Sequence, residues 1–276
     1  MSAPAATGIR TVIVGASGRM GGQLLRLIGE FPALRLHGAV DTEQSESLGQ
    51  DASARAGAQA SGISITASLP PLLERADLVL DFSHPSSAAA TLAACVAARV
   101  PLLLGTTGLA RELDAPLAAA ADTIALLVAA NTSPAVNLLL ELVRQAAHGL
   151  PAGYDIEIVE THHRGKRDAP SGTALALGGA AAAGRGVNLA QHASYTRHGI
   201  GEPRDEDQIG FASIRGGDVV GEHEVWFLGP GERLLLKHSA TDRAIFARGA
   251  LLAGQWLAGR ITGRYAMRDV FVSKSK

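Results

Sequence analysis

The sequence predicts an α/β protein with a Rossmann-type parallel sheet domain and a second α+β domain built on an open mixed sheet. Three observations carry this. Short apolar runs alternate with helix-length segments through the first half, the pattern of parallel strands joined by crossover helices. The first apolar run ends in the glycine-spaced turn Gly15-Ala16-Ser17-Gly18-Arg19-Met20-Gly21. Beyond Asn131 the pattern changes, and strand-like alternation appears with turn glycines at Gly216-Gly217 and Gly229-Pro230-Gly231.

Taken in order, Thr11 to Val14 reads as a strand, Met20 to Phe31 as a helix with Leu24, Leu27 and Ile28 on one face, and Leu34 to Asp41 as the next strand. Further buried strands are expected at Ala76 to Phe82, Val100 to Leu104 and Thr123 to Ala130, with helices at Pro85 to Ala98 and Leu109 to Ala121. In the second half, Ser133-Pro134 opens a helix over Val136 to Ala147, Tyr154 to His163 alternates as a strand, and Leu175 to Gly186 reads as a helix and its end. Three strand-like runs fill Gly210 to Ala240. Arg243 to Gly259 is helical by the spacing of Ile245, Leu251, Leu252 and Trp256 and could return to the first domain. The expected division is 1–132 with 243–276 for dinucleotide binding, and 133–242 for substrate binding and oligomerisation. An open sheet needs its faces or edges covered, so self-association is expected.

Composition narrows the function. Of 276 residues 47% are apolar and 18% charged, which suits a packed globular chain rather than a disordered one. A net charge of −1 with scattered Lys and Arg gives no nucleic-acid footprint. No apolar run is long enough for a membrane span. Met1 to Gly8 lacks a basic start and an apolar stretch, so it reads as a frayed leader rather than a secretory signal. Cys95 is the only cysteine, in an Ala-rich helical stretch. A disulfide framework is excluded, and the cytoplasm is the expected compartment.

The glycine turn suits a dinucleotide. A sharp turn leaves the strand, a residue without Cβ lets the backbone approach pyrophosphate, and the following helix turns its amides toward the anion. Arg19 could add charge there. Asp41 ends the second strand about twenty residues beyond Gly21, where an acid can accept from ribose hydroxyls. Gly105-Thr106-Thr107-Gly108 and Ala129-Ala130-Asn131-Thr132 each end a buried strand, so both should emerge at the carboxyl edge of the sheet beside the same ligand.

The densest polar chemistry lies in Glu160-Thr161-His162-His163-Arg164-Gly165-Lys166-Arg167-Asp168-Ala169-Pro170-Ser171-Gly172-Thr173-Ala174. On a regular strand Ile156, Ile158, Glu160 and His162 share one face and His163 takes the other, so the adjacent histidines do not chelate one metal. An ammonium at Lys166, near an imidazole and a helix start, can receive a carboxylate and donate a proton. Ser171 or a neighbour should cap that helix, leaving the amides of Gly172 and Thr173 for an anion. Together these features point to a nicotinamide-dependent reductase of a small carboxylate.

This run resembles the signature of the dihydrodipicolinate reductase family, also called 4-hydroxy-tetrahydrodipicolinate reductases. Gly15 to Gly21, Asp81-Phe82-Ser83, Gly105-Thr106-Thr107-Gly108, Asn131 with Ser133 and Asn137, Gly217-Asp218 with Gly221-Glu222-His223, and Met267-Arg268-Asp269-Val270 resemble the family's pattern in order. The resemblance implies reduction of a cyclic dicarboxylate on the diaminopimelate route to lysine. It implies His162 as the acid/base residue, Lys166 as proton donor, and His163, Gly172 and Thr173 as carboxylate ligands. It also implies a cofactor site at Gly15, Ala16, Ser17, Gly18, Arg19, Met20, Asp41, Gly105 to Thr107 and Ala129 to Thr132, and a homotetramer built through the second domain; on the histidine geometry above, no metal is expected.

Two positions depart from the family. Thr42 stands where an Arg often holds the 2′-phosphate of NADPH, so NADH is expected to serve at least as well as NADPH. Thr132 stands where some members carry an aromatic residue. Two other readings compete: a semialdehyde-type dehydrogenase, which needs a thiol nucleophile, and a non-catalytic NAD-sensing module.

Overall fold

The computed structural model describes residues 8–271, and all but the last residue of the expected leader lies outside them. The chain forms two compact units, one up to Ser133 together with the residues from Ala244 onward, the other from Pro134 to Arg243.

The first unit holds strands β1 (Ile9–Val14), β2 (Leu34–Val40), β3 (Ile65–Thr66), β4 (Leu78–Asp81), β5 (Leu102–Leu104), β6 (Ala125–Val128) and β12 (Gly263–Tyr265). They form one sheet in the order β12-β6-β5-β4-β1-β2-β3, and every pairing is parallel. Helices α1 (Arg19–Leu27), α2 (Ala52–Arg55), α3 (Pro70–Leu73), α4 (Ala88–Ala98), α5 (Asp114–Ala120), α9 (Ala244–Leu257) and α10 (Met267–Phe271) complete it. Ile13, Leu80, Leu103 and Leu127 pack on one face with α1 and α9, while Val12, Val14, Val79, Leu102 and Leu126 pack on the other with α4 and α5. Burial on both faces explains why these strands read as continuous apolar runs.

Sheet order reverses between β1 and β4, the switch point where ligands of open α/β sheets bind. Glycine is obligatory at two positions there. Gly15 turns at φ +79°, and a Cβ on Gly21 would lie 2.1 Å from the Gly15 carbonyl oxygen.

The second unit contains α6 (Pro134–Gly149), β7 (Asp155–His162), α7 (Gly172–Arg185), α8 (Leu189–His192), β8 (Ala193–Ser194), β9 (Ile209–Arg215), β10 (Gly221–Gly229) and β11 (Glu232–Ala240). The sheet order is β11-β10-β7-β9-β8; β10 runs antiparallel to β7 and β11, and β9 parallel to β7 and β8, so the sheet is mixed. Helices α6 and α7 cover one face through Leu139, Val143, Leu177 and Ala181, packed against Ile156, Ile158, Phe211, Val225 and Phe227. Along β7 the alternation is strict, with Ile156, Ile158, Glu160 and His162 buried and their neighbours half-exposed.

Candidate active site

In the first unit, the turn after β1 is held by its own backbone. Gly15 and Ala16 both donate their N–H to the Val40 carbonyl, at 2.9 and 3.0 Å, and Gly18 donates to Gly15 at 3.0 Å. Asp41 accepts from the Ser17 amide at 2.6 Å and from the Thr42 amide at 2.8 Å. These amides are therefore spent on shaping the turn. Those of Arg19 and Met20, in the first turn of α1, have no acceptor within the helix itself. A carboxylate offers about four lone-pair positions, so Asp41 keeps acceptor capacity beyond these two amides.

Two clefts open along this edge. One, of about 360 Å³, is lined by Gly15, Asp41, Thr42, Leu69, Ser83 and Thr91. The other, of about 340 Å³, is lined by Met20, Gly105, Thr106, Thr107, Ala129, Ala130, Asn131, Thr132 and Phe246. Gly15, Met20, Asp41 and the two later loops thus meet cleft walls, whereas Ala16, Ser17, Gly18 and Arg19 line neither. The Thr132 hydroxyl is committed to the Phe246 carbonyl at 2.7 Å. Phe246 went unnoticed in the sequence because it sits on a helix whose apolar spacing gives it an ordinary packing role.

In the second unit the chemistry converges on Glu160, which is 1% exposed. Arg215 grips its carboxylate with two nitrogens at 2.6 and 2.8 Å, His162 Nδ1 lies at 2.5 Å, and the Ser171 amide donates at 3.2 Å. Arg215 also donates to the Asp168 carbonyl at 2.7 Å, tying the loop before α7 to β9. Burial works to raise the Glu160 carboxyl, but hydrogen bonds from Arg215, Ser213 and His162 outweigh it and hold the group down at about 2.

Burial lowers His162 below its ordinary value of 6.5, and the charges of Lys166 and Arg215 add to that effect against the opposing pull of Glu160. His162 is therefore neutral at pH 7. Its Nδ1–H donates to the Glu160 carboxylate, which leaves Nε2 as an acceptor. Lys166 Nζ sits on both oxygens of Asp168 at 2.9 Å. Strand β7 ends at His162; His163 lies beyond it, half-exposed, its amide donating to the Val219 carbonyl at 2.7 Å.

Ser171 caps α7 as expected, its hydroxyl accepting from the Ala174 amide at 3.1 Å. Gly172 and Thr173 form the first positions of that helix. Amides at such positions find no acceptor within the helix itself. Among the described residues no cluster of three or more His, Cys, Asp and Glu is placed to hold a metal. Sequence reading assigned no role to Arg215 or His223. Both reach this site through strand pairing: His162 pairs with Arg215 on β9, and Glu160 with His223 on β10.

Comparison with known proteins fits this geometry. Residues 9–132 match the family described as dihydrodipicolinate reductase, N-terminus, and residues 135–271 the one described as dihydrodipicolinate reductase, C-terminus. The chain belongs to the dihydrodipicolinate reductase family. It is 46% identical over 261 residues to the 4-hydroxy-tetrahydrodipicolinate reductase of Anaeromyxobacter dehalogenans, covering 95% of this chain and 97% of that one. It is 48% identical over 267 residues to the same enzyme of Anaeromyxobacter sp. (strain Fw109-5), covering 97% and 99%. The fold is shared with the dipicolinate-bound dihydrodipicolinate reductase from Paenisporosarcina sp. TG-14, at a TM-score of 0.76, 23% identity and coverage of 94% and 97%.

The activity is therefore 4-hydroxy-tetrahydrodipicolinate reduction in lysine biosynthesis, with NAD(P)H as the family's reductant. Both competing readings fall. The semialdehyde mechanism also fails on geometry, since Cys95 is fully buried and burial, with Asp81 nearby, pushes its thiol up to about 12. No helix among the described residues is long and apolar enough to cross a membrane.

The site makes the reductase acid-sensitive in two stages. His162 and His223 are lowered in the folded protein, His223 to about 4, chiefly by burial. Their unfolded forms take up protons first, so stability falls as pH drops below 6.5, by on the order of 2–3 kcal/mol for His223 on reaching pH 4. Glu160, at about 2 against an ordinary 4.5, contributes stability that is present above 4.5 and lost as pH falls toward 2. Urea unfolding across this range should show both declines, with His223→Gln flattening the upper one; a stability independent of pH between 6.5 and 4 would contradict the burial of neutral histidines.

Proposed function

We propose that the first unit binds NAD(P)H and that the second binds the dehydrated, unsaturated imine of 4-hydroxy-tetrahydrodipicolinate, with the catalytic groups His162 and Lys166 at its carboxylate end. The single observation behind this reading is that an imidazole held by Glu160, the side chain of Lys166 and the start of α7 occur together on one short stretch. When bound, NAD(P)H would supply the hydride that reduces the ring, leaving an electron pair in the unsaturated system to be neutralised. Lys166 donates the proton that neutralises it. His162, with Nδ1–H fixed on Glu160, presents Nε2 as an acceptor and serves in acid/base exchange.

His163 and the amides of Gly172 and Thr173 take the carboxylates, where the positive end of the α7 dipole favours an anion. Loss of the 4-hydroxyl before reduction makes the acceptor electron-poor, which suits hydride addition. The dipicolinate bound by the Paenisporosarcina reductase is a dicarboxylate of the same chemical class.

Cofactor contacts are assigned to Gly15, Ala16, Ser17, Gly18, Arg19, Met20, Asp41, Gly105, Thr106, Thr107, Ala129, Ala130, Asn131 and Thr132, with direct contacts weighted toward those that line the clefts. Asp41 favours a 2′-hydroxyl and repels a 2′-phosphate, and exposed Thr42 supplies no countercharge, so NADH serves at least as well as NADPH.

The reductase works in the cytoplasm as a homotetramer joined through the second unit. Supporting this, the sheet face away from α6 and α7 carries Ile214, Trp226 and Leu235, with Ile214 51% and Leu235 42% exposed.

Replacing Lys166 with Ala should lower kcat by about 10²-fold with NADH affinity nearly intact, measured by steady-state assay and nucleotide titration; near-normal turnover would remove Lys166 from the mechanism. Thr42→Arg should shift the ratio of kcat/KM for the two cofactors toward NADPH by about tenfold, roughly 1.4 kcal/mol. A strong wild-type preference for NADPH would place the phosphate on another basic group.

A further inference from the structure

His223 has no part in the scheme above, yet it is 5% exposed and joined to the start of α7. Its Nε2 lies 2.9 Å from the Ser171 hydroxyl, and its Nδ1 is buried without a hydrogen-bond partner. Its ring meets that of His162 edge-on, with centroids 5.1 Å apart at 73°. Burial keeps it uncharged, so the ring carries one proton.

The position of that proton follows from which buried group is left bare. On Nδ1 it would be an unpaired donor with no acceptor in reach. On Nε2 it donates to Ser171 and leaves only a lone pair unmet, and bare buried donors are rarer than bare buried acceptors. Ser171 Oγ already accepts from the Ala174 amide at 3.1 Å. A hydroxyl has two acceptor positions and one hydrogen. With both acceptor positions filled from within the protein, the hydrogen of Ser171 has to be given to something else, and its position at the N-cap puts it beside the first amides of α7.

We propose that His223 is a positioning residue for carboxylate recognition: by donating Nε2–H to Ser171 it turns the serine's own hydrogen toward a substrate carboxylate held at the start of α7. This rests on the carboxylate site proposed above. The edge contact with His162 gives the same ring a second duty, limiting rotation of the imidazole that Glu160 orients.

The test is calorimetric titration of pyridine-2,6-dicarboxylate into the full-length protein with NADH present, for wild type, His223→Leu and His223→Gln. His223→Leu should weaken binding about tenfold while NADH affinity stays unchanged. His223→Gln, whose amide nitrogen replaces Nε2–H, should stay within about threefold of wild type. Equal loss in both variants, or none in His223→Leu, would overturn the proposal.

Nitrogen-15 NMR of wild-type protein reads the tautomer without any substitution. A proton on Nε2 agrees with the proposal, and one on Nδ1 refutes it. Lys166→Ala and His163→Ala separate the two levels of inference. If they weaken dicarboxylate binding and His223→Leu does not, the role of His223 alone fails; if they too bind normally, the carboxylate site itself is wrong.

Discussion

The ionised carboxylate of Glu160, sealed under the second sheet, is the constraint on which this site depends. An isolated buried carboxylate would be strongly disfavoured, and it is tolerated only when its lone pairs are filled and its charge is matched. Arg215 provides the charge, while Ser171 and His162 provide further donors. Each partner is fixed in return. Arg215 holds the loop before α7 through Asp168, Ser171 is set to cap the helix, and His162 is confined to one tautomer. Breaking such an arrangement by removing one member leaves a buried charge unmet, typically at a cost of about 3–5 kcal/mol.

The same device appears in the first unit on a smaller scale. Asp41, just past the end of β2, accepts the amide of Ser17 immediately before the N-cap of α1, much as Glu160 accepts the amide of Ser171 at the N-cap of α7. In both places an acid at or near a strand end orders the chain entering a helix. Those helix starts are where anions are favoured: pyrophosphate in one unit and substrate carboxylate in the other, under the proposed reading.

The parts legible in the sequence were those whose signal is local. Apolar runs buried on both faces marked β1, β4, β5 and β6, the glycine spacing marked the turn before α1, and the alternation of β7 placed Ile156, Ile158, Glu160 and His162 on one buried face, although the strand stops before His163. Short elements escaped. Strand β3 has 2 residues and β12 has 3, the latter carrying exposed Arg264, so neither shows a period. Arg215 and His223 escaped for a different reason. They lie far from Glu160 along the chain, and only the parallel register of β9 and the antiparallel register of β10 bring them to it. Asp41 was legible as an acid at the end of the second strand, but its grip on the Ser17 amide depends on side-chain geometry that no spacing encodes.

The most direct test of Glu160 as organiser is the pH dependence of kcat/KM for Glu160→Gln, measured where circular dichroism shows the variant folded. Glutamine keeps the size of the side chain but loses the charge that pairs with Arg215 and fixes the His162 tautomer. The expected result is a fall in kcat/KM of at least about tenfold, with an altered pH profile and unchanged NADH affinity. A folded Glu160→Gln enzyme with wild-type kcat/KM at every pH would contradict it.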